Sequence, residues 1–335
     1  MTKEELLKID KPGDLFDRNI IECKKKYKEL IKEYHPDSKN GDTTVFEHIT
    51  KLYEKAIGLL SNGLWEKSRY VEFKTSQNKT IMIEYQDLFL FELGTCYVCK
   101  THIIYLLKSD KEKYYKNYIE KTKKLKYENN DMEKVFKICM PDIQTYGKLK
   151  TGEYYIVLKK TKDVFPLKNV LNYYKEIPDR HIAWILSRLS SIACFIQYNH
   201  LVHNGINIEN CFISPKYHSI LLLGGWWYTT KENEKLIGTT KEIYDLMPIK
   251  EKTKKISTIE TDLESIKAIG RKLTGDEDYQ KMLDKNLPKP IFNFLTKGSS
   301  HSAFTEMEEW DKSLLKAYGE RKFIPLYIDE KQIYQ

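Results

Sequence analysis

The sequence predicts an α+β protein: a helical hairpin first, then a small antiparallel sheet with one helix, then a mostly helical region. Three observations carry that expectation. Apolar residues recur at three-four spacing up to about residue 60, short apolar runs replace them after Trp65, and a long helical pattern returns at Asp179.

In the first helix, Ile20, Cys23, Tyr27, Leu30, Ile31 and Tyr34 form one apolar face, with Asp17 read as its cap. Lys24, Lys25, Lys28 and Lys32 fall on the opposite, solvent-facing side. Pro36 ends the helix, because the residue before a proline avoids the α region, and Ser38 to Asp42 reads as a polar loop. Thr44 and Glu47 suggest a capping box for a second helix, whose apolar positions run from Val45 to Leu60 and which Asn62-Gly63 stops. Two such helices joined by about ten residues make a hairpin with an exposed tip.

Past Trp65, Arg69 to Phe73, Thr80 to Tyr85, Leu88 to Leu93, Thr95 to Cys99 and Ile103 to Leu107 read as strands of a meander. A Lys- and Tyr-rich helix follows from Asp110 to Glu128, then strands at Val135 to Cys139 and Glu153 to Leu158. From Asp179 the residues Ile182, Ile185, Leu186, Leu189, Ile192, Ala193 and Ile196 define a buried helix ending near Asn199. The last helices are expected at Leu287 to Leu295 and Met307 to Tyr318. Trp226-Trp227-Tyr228 reads as core, with a peptide-lining surface as the lesser alternative.

With 335 residues, two or three cores are expected, and 41% hydrophobic residues suffice to fill them. The net charge of +8 favours acidic partners, but it is spread along the chain, so nucleic acid is not an expected partner. No apolar run follows Met1 and no stretch approaches membrane-spanning length, which predicts a cytoplasmic protein with no membrane partner. Of the six cysteines only Cys96 and Cys99 form a CxxC pair; without a second pair they read as strand residues, so no metal or cofactor is expected.

The run Lys26 to Asp37, with the tripeptide His35-Pro36-Asp37 at its end, resembles the second helix and signature loop of a J-domain, the module of DnaJ (Hsp40)-type proteins that engages Hsp70. The resemblance covers about residues 14 to 66. The family's first helix is matched only in part by Asp14-Leu15-Phe16, and Glu4 to Ile9 reads as an extra or rearranged helix. The resemblance implies that Lys24, Lys25, Lys28 and Lys32 meet an acidic face of the Hsp70 ATPase domain, and that His35, Pro36 and Asp37, with Tyr34 beside them, trigger ATP hydrolysis. The chain lacks the Gly/Phe-rich linker and paired CxxCxGxG repeats with which many such proteins hold clients.

Leu201 to Ile213, containing His203-Asn204-Gly205 and Glu209-Asn210, resembles the catalytic loop of protein kinases. The resemblance spans about residues 80 to 320 and implies a bilobal kinase-like fold. It also implies lost chemistry: Gly205 stands where the family has its catalytic aspartate, and Leu223 where it has a metal-binding aspartate. Asn210 is retained. Lys108 stands near the place of the strand-three lysine, with Glu112 and Glu120 both possible as its helix partner, and only Gly94 remains of a glycine-rich loop. Gly238-Thr239, Tyr244 and Pro248 resemble the end of an activation segment, and Thr261 to Ile266 resembles the helix whose aspartate, here Asp262, braces the catalytic loop.

Together these resemblances divide the chain into a J-domain at 1–67, a kinase-like N-lobe at 68–160, a C-lobe at 161–325 and a tail at 326–335. The expected function is that of an Hsp70 co-chaperone or adaptor, not an enzyme, whose dead pseudokinase domain binds an unidentified client or partner. The alternatives are an atypical phosphotransferase carrying a J-domain, with Lys108 and Asn210 as its nucleotide-binding remnant and Asn210, Glu209 or Asp262 standing in for the lost carboxylates, and a basic nucleic-acid-binding protein.

Overall fold

The computed structural model describes residues 2–9, 12–17, 19–38, 41–61, 70–174, 177–275, 282, 287–320, 322 and 324–334. The Asn62-Gly63 stop signal and the boundary expected at 67/68 lie outside them. The chain divides into two compact units, one of Met1–Glu72 with Met82–Glu84 and one of Phe73–Ile81 with Tyr85–Gln335. The division runs through a two-stranded hairpin, β1 (Tyr70–Lys74) and β2 (Thr80–Glu84).

The first unit is helical. A short helix α1 (Lys3–Leu7) opens with a reciprocal cap: the Glu5 amide donates to the Thr2 hydroxyl, and the Thr2 amide donates to the Glu5 carboxylate. Helix α2 (Ile20–Tyr34) begins two residues later than a cap at Asp17 predicts, because Asn19 Oδ1 accepts from the Ile21 amide at 2.8 Å. Helix α3 (Thr43–Ser61) is likewise capped from outside the expected box. Asp42 Oδ1 accepts from the amides of Thr44 at 3.0 Å and Val45 at 3.2 Å. The apolar faces of α2 and α3 close on each other through Cys23, Leu30, Val45, Ile49, Leu52 and Ala56, all buried. Tyr27 stacks on Tyr53 with ring centroids 3.8 Å apart, which pins the two helices in register.

The second unit is a mixed α/β body with small antiparallel sheets and many helices. Strands β3 (Asp87–Phe91), β4 (Gly94–Val98), β5 (His102–Leu107), β6 (Asp142–Lys148) and β7 (Tyr154–Lys159) form an antiparallel sheet in the order β3-β4-β5-β7-β6. Between β5 and β6 lie two helices rather than one, α4 (Glu112–Lys123) and α5 (Asn130–Phe136). The segment Val135 to Cys139, expected as a strand, is the end of α5 and a following 3-10 turn. Asn129 caps α5 by accepting from the Met132 amide at 2.8 Å, Val135 and Ile138 face solvent, and the sheet position is taken by β6, which sequence periodicity did not reveal.

After β7 the chain forms β8 (Phe165–Pro166), α6 (Leu167–Tyr174), the long helix α7 (Asp179–Tyr198) and β9 (Leu201–Val202). Strands β10 (Cys211–Ser214) and β11 (Ser219–Leu222) pair as a hairpin, β8 flanks β10, and β12 (Thr230–Lys231) pairs with β9. Helices α8 (Lys241–Leu246), α9 (Ile249–Lys254), α10 (Ile259–Leu273), α11 (Lys289–Thr296), α12 (Ala303–Tyr318) and α13 (Glu330–Ile333) complete it. Helix α7 buries Ile182, Ile185, Leu186, Leu189, Ile192 and Ile196, as its three-four spacing requires. Among the described residues no helix is long and apolar enough to cross a membrane.

Candidate functional site

Two places hold the residues singled out in the sequence, one in each unit. The first is the loop between α2 and α3. His35 leaves the helix with φ −56° and ψ 137°, the extended conformation that Pro36 imposes on its predecessor. The turn then closes on itself: the Ser38 amide donates to the His35 carbonyl at 2.8 Å, the Ser38 hydroxyl to the Glu33 carbonyl at 2.7 Å, and the Gly41 amide to the Ser38 carbonyl at 2.9 Å. Gly41 is required by close approach, since a Cβ there would lie 2.4 Å from the His35 carbonyl oxygen and 2.5 Å from that of Pro36. The His35 ring meets Phe46 edge-on at 5.5 Å, and its Nδ1 accepts from the Asp37 amide at 3.3 Å.

This packing holds the loop while leaving its polar tips outward. The side chains of His35 and Asp37 are 51% and 91% exposed. Lys24, Lys25, Lys28 and Lys32 are exposed on α2, and Lys28, Ile31, Lys32, His35, Asp37 and Ser38 line an open depression of about 410 Å³. Tyr34 is a correction. It is 5% exposed and belongs to the apolar face of α2, so it supports the hairpin core and offers no contact surface. Gly41, Ser38 and Asp42 shape the loop, a role that a polar connection does not reveal in the sequence.

The second place surrounds Asp262 on α10. Its carboxylate, fully buried, accepts from the His203 amide at 2.7 Å through Oδ2 and from the Asn204 amide at 2.9 Å through Oδ1. Burial raises its pKa to about 7, against those two backbone hydrogen bonds, which favour the charged form. Asn204 adopts φ +58° and donates its amide to the Val202 and Tyr228 carbonyls and the Thr230 hydroxyl. The segment 202–204 is thereby fixed between α10 and the 226–230 segment.

Gly205, Asn210 and Leu223 meet there. The Asn210 side-chain amide donates to the Gly205 carbonyl at 2.8 Å, while the Asn210 backbone carbonyl accepts from the amides of Leu223 and Gly224. A Cβ on Gly205 would lie 2.9 Å from Gly225 Cα, and one on Gly224 would lie 2.2 Å from Asn210 Oδ1. Leu223 is fully buried, and its carbonyl accepts from the Tyr118 hydroxyl at 2.6 Å. His203 is buried against the edge of Trp226, with ring centroids 4.8 Å apart and no hydrogen bond to either ring nitrogen among the described residues. Burial therefore pushes its pKa down to about 3, with the neighbouring Gly224 backbone acting in the opposite sense.

Lys108 is not part of this group. It is exposed beyond the end of β5, where its backbone amide donates to the Leu93 carbonyl, and the β5 side chain that approaches Gly224 is Tyr105. Glu112 and Glu120 lie on α4 and pair with Lys116 and Lys124, each at 2.8 Å. The space between β5, α4 and residues 223–228 is filled by aromatic rings. Trp227 stacks on Phe91 at 4.8 Å and on Tyr118 at 5.6 Å, and meets Tyr105 edge-on at 5.1 Å. Asn117 latches the same segment by donating to the carbonyls of Trp226, Trp227 and Thr229. Trp226-Trp227-Tyr228 is thus core and does not line a surface.

Among the described residues no three His, Cys, Asp or Glu side chains are placed to hold a metal ion, and Cys96 and Cys99 are buried free thiols. No family model matches the sequence, and no curated protein matches it. Among solved structures the chain is similar to vaccinia related kinase 3, with a TM-score of 0.48 and 13% identity, over 73% of this chain and 91% of that one.

Proposed function

We propose that the chain is an Hsp70 co-chaperone or adaptor, in which the α2–α3 hairpin presents His35-Pro36-Asp37 to an Hsp70 ATPase domain and the second unit binds a client or partner. The observation that carries this reading is the loop itself. Its backbone is held from within by Gly41 and Ser38 and the His35 ring is braced by Phe46, so the half-exposed His35 and exposed Asp37 are pre-positioned beside the exposed lysines of α2. A pre-ordered loop loses little conformational freedom on docking, and a basic stripe steers it toward an acidic face.

The second unit is read as kinase-like because Asp262 braces the loop at 203–204 as the resemblance implies. A metal-bound nucleotide does not fit the residues present. Leu223 and Gly205 supply no carboxylate, the Asn210 amide is engaged with the Gly205 carbonyl, and rings fill the space beside them. The atypical phosphotransferase reading is correspondingly weaker, and no shift in melting temperature with millimolar ATP and magnesium is expected. Of the lysines in and just after α4, Lys116 and Lys124 pair with Glu112 and Glu120.

The test is steady-state ATP hydrolysis by an Hsp70 with the full chain, wild type and His35→Gln. Wild type should accelerate hydrolysis and the variant should not, with both giving the same thermal melt. Equal stimulation by both, or none by either, would sink the reading.

A further inference from the structure

Residues 326–334, expected to be a mere tail, lie docked on the second unit. Leu326 and Ile333 are buried at 9% and 5% exposure, and the Tyr334 ring packs 6.0 Å from that of Phe165 in β8. Polar contacts run along the same segment: Gln86 donates to the Glu330 carboxylate, the Tyr173 hydroxyl to the Gln332 side chain, and the Tyr174 hydroxyl to the Tyr327 carbonyl. The segment thus touches the chain just before β3, β8 and the end of α6.

We propose that this groove is a peptide-binding site whose resident occupant is the chain's own 326–334 segment, and that it takes in trans a peptide of the same chemistry, Glu-x-Gln-Ile-Tyr. The proposal rests on the reading of the second unit as a binding module and says where that module binds. Three features mark the contact as ligand-like. Helix α13 has four residues, far below the length at which a helix forms alone, so its shape is imposed by the groove. Two of the three polar contacts read a particular side chain, Glu330 and Gln332, and the apolar anchors Leu326 and Ile333 hold the segment at both ends. Third, the Tyr334 hydroxyl is buried and makes no hydrogen bond among the described residues, so the occupant is an imperfect fit that a competitor can displace.

Charge adds specificity. Lys160, 5% exposed, donates to the Lys100 carbonyl at 3.0 Å, and the Glu330 carboxylate is among the charges that favour its ionised form. An acidic residue four positions before the aromatic one therefore serves both Gln86 and the field of this buried lysine.

The experiment is fluorescence anisotropy with a labelled peptide of sequence 326–334 and the full-length protein, without any Hsp70, so that its failure leaves the ATPase reading untouched. The double variant Ile333→Asp/Tyr334→Ala should bind the peptide saturably and at least tenfold more tightly than wild type. A peptide carrying Glu330→Lys should lose at least tenfold, and one carrying Tyr334→Phe should bind more tightly than the parent. Equal binding to wild type and variant, or no binding to a folded variant, would overturn the proposal. Should the double variant fail to fold, Tyr334→Ala alone takes its place. Amide exchange of wild type decides the same point without substitution: residues 330–334 should exchange faster than α7, and exchange of both only on global unfolding would refute a displaceable segment.

Discussion

Gly205 and Gly225 approach so closely that a Cβ on Gly205 would sit 2.9 Å from Gly225 Cα and 3.0 Å from its carbonyl oxygen. The position at which the resemblance to kinases places a catalytic carboxylate is therefore closed by backbone. Gly205→Asp should not create phosphotransfer. It should destabilise the second unit by about 3 kcal/mol or more, since overpacking against backbone and burial of an unpaired carboxylate act together. Urea unfolding measures this, and wild-type stability in the variant would show that the two loops can part.

Trp227 fills the place between Phe91, Tyr105 and Tyr118, so Trp227→Ala leaves a cavity lined by three rings. Loss of a large buried aromatic costs about 3–5 kcal/mol. A midpoint shift in urea at unchanged slope is expected. A loss below about 1 kcal/mol would mean that the segment 223–228 collapses inward and that the packing is not specific.

The sequence made the helical elements legible because their apolar residues repeat at helical spacing, and it made the Asp262 brace legible because a loop motif and a helix motif could be aligned separately. It misplaced Lys108 because register along β5 decides which residue turns inward, and it is Tyr105, three positions earlier, that approaches Gly224. It misread Val135 to Cys139 because a short β-branched run fits either a strand or the end of a helix, and Asn129 settled the choice by capping. Contacts made across long sequence separations, such as Tyr118 to Leu223 or Tyr334 to Phe165, leave no local pattern to find.

His203 and Asp262 make opposite contributions to the pH dependence of stability. Burial lowers the His203 pKa from 6.5 to about 3, so the unfolded chain binds more protons there and stability is lost as pH falls from 6.5 toward 3. Burial raises the Asp262 pKa from 3.8 to about 7, so the folded chain binds more protons there and stability is lost as pH rises from 3.8 toward 7. In wild type the two slopes offset each other between roughly pH 4 and 6.5. His203→Phe removes one of them. The stability difference, variant minus wild type, should fall with rising pH across that window by up to about 1.4 kcal/mol per unit. Parallel urea titrations at pH 4.5, 5.5 and 6.5 check this; parallel curves would mean that His203 reaches solvent when charged.

Gly41 offers a test of the loop that substitutes no proposed contact residue. Its missing side chain lets the chain pass within van der Waals distance of the His35 and Pro36 carbonyls, and any Cβ would push those groups away. Gly41→Ala should therefore reorient His35 and Asp37 while the lysines of α2 stay where they are. The expected outcome is a loss of about 1–3 kcal/mol from hairpin stability, by the cost of forcing an atom into a filled space. Under the co-chaperone function proposed above, stimulation of Hsp70 hydrolysis should drop sharply at saturating protein, whereas charge reversal at Lys28 and Lys32 should chiefly weaken binding and its salt dependence. If Gly41→Ala stimulates fully once the hairpin is folded, loop geometry is not what the partner reads, and the tripeptide acts by side-chain identity alone.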